Sequence, residues 1–221
     1  ALCMLLANRS AAMRPVVVLP SLSRPGHFAP SGLVPYRTDL LGCGFRHNVF
    51  VAEFNTQKVY RLQLQPSGST YACREEVFVS ADSPDVHFTD VMEDADGSLL
   101  VIDTGGWFLY GCPTSQLARP EIQGAIYRIR RTDARPLADP RGLQIDFAAA
   151  SPAQLLALLD DARFAVRDAA VLELSKRGEP VVAALAAAVN SESQQASRNA
   201  VWALSRIRGE AAIATARRST G

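Results

Sequence analysis

Between residues 31 and 131, apolar positions come in short runs bounded by turn residues, the spacing of β-strands. Asn48-Val49-Phe50-Val51-Ala52-Glu53 and Lys58-Val59-Tyr60-Arg61-Leu62 are rich in β-branched and aromatic side chains, which suit a pleated surface. Their echoes lie downstream, Ser98-Leu99-Leu100-Val101-Ile102-Asp103 at an offset of 50 and Ala125-Ile126-Tyr127-Arg128-Ile129 at an offset of 67. The difference of 17 residues falls in one long loop, Thr104 to Gln123, which replaces the tight Phe54-Asn55-Thr56-Gln57 turn. Each unit opens with a further strand, Gly32 to Arg37 or Phe88 to Glu93, and Tyr71 to Ser80 closes the first. The second unit runs on into Asp94-Ala95-Asp96-Gly97-Ser98, whose Asp-Gly pair is a strong hairpin signal. Units of about four antiparallel strands, repeating near every 50 residues, predict β-propeller blades, because a lone blade cannot bury both its faces.

Beyond Arg131 the period changes. Residues 132–150, with prolines and charges at Thr132 to Arg141, read as a linker, and from Ser151 the chain is alanine-rich and helical. Ser151-Pro152 predicts a helix start, serine as N-cap and proline in the first turn. Val166-Arg167-Asp168-Ala169-Ala170 through Gly178 is matched by Ser197-Arg198-Asn199-Ala200-Val201 through Gly209 at an offset of 31, with a second helix over Pro180 to Asn190. Helix pairs at that spacing predict a compact HEAT-like α-solenoid over 151–221. The expected fold class is therefore multi-domain, β then α: two propeller blades at 31–131 followed by HEAT-like repeats. Residues 1–30 carry no blade pattern and stay unassigned.

Composition narrows the function classes. Net charge is +1 over 221 residues, so no global field draws in nucleic acid or an anionic membrane. No apolar run approaches the roughly 20 residues of a transmembrane helix. The chain opens on Ala1 without an intact signal peptide, and its start reads as a truncation; since two blades cannot close a ring, the chain is expected either to be a fragment or to pack on a further element. Cys3, Cys43, Cys73 and Cys112 are isolated, which disfavours a CxxC metal site or a CxxCH haem motif. They read either as buried free thiols or as a set holding one disulfide.

The run from Phe88 through Trp107, with Cys112-Pro113-Thr114-Ser115-Gln116-Leu117 and Gly124-Ala125-Ile126-Tyr127-Arg128, resembles the membrane-bound dehydrogenase family of large exported bacterial proteins. In that family a propeller similar to the quinoprotein glucose and sorbosone dehydrogenases precedes HEAT repeats, often followed by a c-type haem domain. The resemblance implies a periplasmic or otherwise exported protein that oxidises a sugar or alcohol, with pyrroloquinoline quinone and calcium as cofactors of the full-length chain. The family often has a Cys where this chain has Pro30-Ser31-Gly32, and no haem motif is present here. The alternative is a non-enzymatic scaffold that binds a protein partner through its repeats.

Candidate site residues follow from these readings. His87, just before a strand expected to line the propeller channel, is the candidate general base, because imidazole titrates near working pH. Asp90 and Asp103 stand near strand ends, where a carboxylate binds an ion or a substrate hydroxyl, or makes a turn or inter-blade hydrogen bond. Gly105, Gly106, Trp107 and Tyr110 belong to the long loop, where paired glycines allow close backbone approach and aromatic rings stack on a sugar or quinone. No metal ligands are assigned. Arg167-Asp168 and Arg198-Asn199 are read as equivalent positions tying repeats together, and Trp202 is read as core.

Overall fold

The computed structural model describes residues 29–106, 121–135 and 137–218. They form two compact units interleaved along the chain. One takes the chain up to Tyr36 with His47–Met92 and Leu100–Tyr127; the other takes Arg37–Arg46, Glu93–Leu99 and the chain from Arg128 onward.

The first unit is built on strands. β1 (Pro30–Pro35), β2 (Val49–Glu53), β3 (Lys58–Ser67) and β4 (Thr70–Ser80) form an antiparallel meander in chain order. β2 is buried from Phe50 to Glu53 between β1 and β3. Its ring at Phe50 meets Tyr36 at 5.8 Å and Phe78 at 4.8 Å, both edge to face, the packing that aromatic quadrupoles favour. The β3–β4 ribbon outgrows the sheet. β2 reaches only as far as Leu62, whereas β3 and β4 stay paired from Gln63 opposite Arg74 to Ser67 opposite Thr70.

β5 (Phe88–Glu93), β6 (Leu99–Asp103) and β7 (Ala125–Ile129) form a second sheet, again in chain order. The Asp-Gly signal becomes the β5–β6 hairpin turn: Asp94 N donates to Ser98 O at 2.8 Å, Gly97 N donates to Asp94 O at 2.8 Å, and Gly97 takes φ +85°. Three strands stand in this sheet among the described residues, one fewer than the repeat leads one to expect. The echoing runs do occupy equivalent places, β2 and β6 each being the second strand of an open antiparallel sheet.

Where β1 meets β5 the two sheets approach closely at Gly32 and Asp90. A Cβ placed on Gly32 would lie 2.5 Å from Asp90 Cα, so only glycine allows this approach. Ser31 Oγ donates to Phe88 O at 2.9 Å and to Ala52 O at 3.3 Å, fastening both sheets at the same level.

The second unit contains the helices. α1 (Pro152–Ala157) starts at Ser151, whose hydroxyl accepts from Gln154 N while the Gln154 side chain accepts from Ser151 N, a reciprocal capping box. α2 (Phe164–Arg177) stops at Gly178, at φ +69°, with Lys176 and Arg177 in its last turn facing the negative end of the helix dipole. α3 (Val182–Ala188) follows a short 3-10 turn, α4 (Gln194–Arg206) is capped by the Ser193 hydroxyl, and α5 (Glu210–Arg218) ends the described chain. Leu155, Leu159, Ala170, Leu174, Leu185, Ala200 and Leu204 form one fully buried core.

The helices correct the repeat. α2 and α4 begin 30 residues apart, not 31, and buried positions recur at that offset: Val166 with Ala196, Ala170 with Ala200, Leu174 with Leu204. Packing fixes helix phase, so Arg167 and Arg198 are not equivalent; Arg167 is buried and Arg198 exposed. Trp202, read as core, is 55% exposed.

Candidate functional site

The end of β6 organises the residues singled out from the sequence. Asp103 is buried, and its Oδ1 accepts from His87 N at 2.9 Å and from Gly105 N at 2.9 Å. Thr104 N donates to His87 O at 3.1 Å, completing a clasp between the start of β5 and the end of β6. Gly105 stands at φ +60°, and a Cβ there would lie 2.5 Å from Ile122 O, so the glycine lets the chain pass close to the returning strand. Gly106 N donates to that same Ile122 O at 3.0 Å.

His87, Asp103, Gly105 and Gly106 are thus brought together, and Asp103 is spent on backbone N–H groups. The His87 ring lies on Phe54 at 4.6 Å with Nδ1 3.1 Å from Asp85 O. Asp90 stands apart, on the β1–β5 contact, and its Oδ1 accepts from Val91 N at 2.8 Å. Trp107 and Tyr110 lie outside the described residues, as do Cys3 and Cys112. Cys43 is free and exposed rather than buried, and Cys73 is free and half-buried.

Calcium takes six to eight oxygen ligands. Among the described residues no group of three or more His, Cys, Asp or Glu is placed to hold a metal ion. Asp90 and Asp103 each spend Oδ1 on backbone N–H groups.

Two buried carboxylates escaped sequence reasoning. Glu53 ends β2 as Asp103 ends β6, is only 1% exposed, and leaves Oε2 without a hydrogen-bond partner. Burial pushes its carboxyl up to about 7. Glu93 accepts from Arg37 N at 2.8 Å and Thr38 N at 2.9 Å, and burial raises its pKa against those two bonds. Alternation in a strand marks which positions face inward, but an acidic residue at a strand end reads as a surface residue until its neighbours are known.

In the helical unit a second arrangement stands out. Asp168, Leu172 and Lys176 form an exposed column on α2, and Arg198, Trp202 and Arg206 form the column at the same phase on α4. Ser175 Oγ donates to Val171 O at 2.6 Å and shares the same proton with Ala203 O at 3.2 Å, so α2 and α4 pack directly beside these columns. Leu172 is 52% exposed, which leaves two large apolar groups in water on adjoining helices. Arg206 lies over the Trp202 ring at 5.5 Å, a cation–π contact, while Arg198 donates to Gln195 Oε1. Asp168 is paired with Arg37 at 2.8 Å and Lys176 with Glu173 at 3.7 Å, so the positive charge beside the apolar centre comes chiefly from Arg198 and Arg206.

The HEAT repeats family matches residues 152–220. No curated protein matches the chain, and no solved structure does. No helix among the described residues is long and apolar enough to cross a membrane.

Proposed function

We propose that this chain is a protein-interaction scaffold whose HEAT repeats dock an acidic peptide bearing one large apolar residue, and whose two sheets are consecutive blades of a β-propeller. The observation that carries the docking reading is the paired exposure of Leu172 and Trp202 on α2 and α4, flanked by Arg198, Arg206 and Lys176. Tryptophan and arginine are the residue types that dominate binding energy at interfaces. HEAT repeats stack helix pairs into extended binding surfaces, and the family match over 152–220 supports that use. The blade reading is supported by the equivalence of β2 and β6 and by the glycine contact between β1 and β5.

A random-peptide display selection on this chain tests the docking reading. Enriched peptides are expected to carry Asp or Glu beside Leu, Phe or Trp. Trp202→Ala is expected to weaken them by about tenfold or more, the loss typical of an interface hot spot. Enrichment of basic peptides, or binding that survives Trp202→Ala, defeats it.

The oxidoreductase reading is the second. It rests on the resemblance to the membrane-bound dehydrogenase family, as do pyrroloquinoline quinone, a sugar or alcohol substrate and an exported location. Dye-linked oxidation by the full-length protein with added quinone and calcium tests it; no turnover across sugars and alcohols removes it.

A further inference from the structure

A cavity of about 570 Å³ lies within the helical unit, in the size range of small-molecule sites. It is lined by arginines that the sequence scatters: Arg37, Arg46, Arg131, Arg135 and Arg167. Most of the aspartates on its wall are already spent. Asp39 pairs with Arg46 at 2.9 Å, Asp133 takes both prongs of Arg131 at 2.6 and 2.8 Å, and Asp161 takes Nε and Nη2 of Arg163 at 2.9 and 2.8 Å. Arg37 is held by Asp168.

Two guanidinium groups remain. Arg135 is exposed and has no hydrogen-bond or ion-pair partner among the described residues. Arg167 is 6% exposed, and only its Nη1 is used, donating to Asp161 O at 2.6 Å and Ala162 O at 3.0 Å. No carboxylate hydrogen-bonds this buried cation, an arrangement that is costly unless a further anion completes it. Burial holds Arg167 below the usual guanidinium range, helped by the charges of Arg37, Arg46 and Arg198 and opposed by the Asp168 carboxylate. One opposing group faces the cavity, Asp160, whose Oδ1 accepts from Ser193 Oγ at 2.6 Å.

We infer that this cavity binds a phosphate group, free or carried on a small molecule, through Arg135 and Arg167. A dianion answers two guanidiniums that no carboxylate hydrogen-bonds, where a monocarboxylate leaves one unanswered, and the planar guanidinium fork matches phosphate oxygens. The site is independent of the Leu172–Trp202 face, so either can fail alone.

Isothermal titration of the purified chain with inorganic phosphate, pyrophosphate and acetate, at matched ionic strength, tests the inference. Phosphate and pyrophosphate bind and acetate does not. Arg135→Glu, at an exposed position that leaves the fold intact, weakens phosphate by about tenfold or more, the loss expected for a charge-assisted hydrogen bond. Asp160→Asn, which keeps an oxygen for Ser193, tightens it severalfold. Arg206→Glu, outside the cavity lining, leaves phosphate unchanged. Preference for pyrophosphate over phosphate identifies a phosphoanhydride as the carrier; equal affinity identifies a single phosphate group. Acetate binding as well as phosphate does, indifference to Arg135→Glu, or weakening by Asp160→Asn overturns the proposal.

Discussion

Replacing Gly32 by alanine places a methyl group where β1 meets β5. The new carbon would stand 2.5 Å from Asp90 Cα and closer still to Asp90 Oδ1, against an ordinary contact of 3.4–4 Å. The Oδ1 end can rotate away, but the Cα cannot, so the two backbones have to part by about 1 Å. Separation also stretches the Ser31 Oγ bond to Phe88 O, now 2.9 Å. Overpacking of this kind costs about 1–3 kcal/mol, and the lower entropy of an unfolded alanine returns about 0.4–1 kcal/mol of it. A net loss of about 1–2 kcal/mol is expected, and with a urea slope of about 2 kcal/mol/M that lowers the midpoint by roughly 0.5–1 M. Far-UV circular dichroism across a urea titration reads it directly. Adding Asp90→Gly to Gly32→Ala should restore only part of the loss, because the backbone contact persists. A Gly32→Ala midpoint within error of the parent, or full restoration by Asp90→Gly, refutes a backbone-to-backbone approach of the sheets.

Other outcomes follow from single residues. Glu53 has a folded pKa of about 7 against an ordinary 4.5. Its stabilising contribution is therefore complete below pH 4.5 and is lost as pH rises through 7. Stability of the parent, measured against Glu53→Gln across that range, should fall by about 1–2 kcal/mol after allowance for solvent screening, and parallel curves would contradict the burial of this carboxylate. Ser151→Ala removes the acceptor for Gln154 N and should cost about 1 kcal/mol in urea denaturation; no loss would contradict the capping box. Leu174→Ala empties a fully buried position between helices and should cost about 2–5 kcal/mol, with an effect under 1 placing Leu174 outside the core.

How much of this was legible in the sequence depended on whether local chemistry or tertiary packing decided the feature. The Asp96-Gly97 turn needed a positive φ and advertised it, and the Ser151-Pro152 cap needed an acceptor followed by a missing donor. The repeated Arg-Asp and Arg-Asn pairs misled because residue identity does not report helix phase. The alanines and leucines that pack, Ala170 with Ala200 and Leu174 with Leu204, set the true offset and left Arg167 inside and Arg198 outside. Trp202 misled for the same reason, an apolar side chain being placed by its neighbours rather than by its own hydrophobicity. At the candidate site, His87 and Asp103 were each singled out near strand ends, yet the backbone N–H groups of His87 and Gly105 that occupy Asp103 carry no sequence signature. The arginine cavity was illegible altogether, since it joins residues as distant as Arg37 and Arg167.

The chain has two tryptophans, Trp107 and Trp202. With Trp107→Phe, emission reports on Trp202 alone. Titrating that protein with an acidic peptide carrying one apolar anchor should shift the emission to the blue as the half-exposed ring leaves water, in step with the calorimetric binding curve. Binding by calorimetry with no change in emission would contradict the docking face on which the scaffold reading depends.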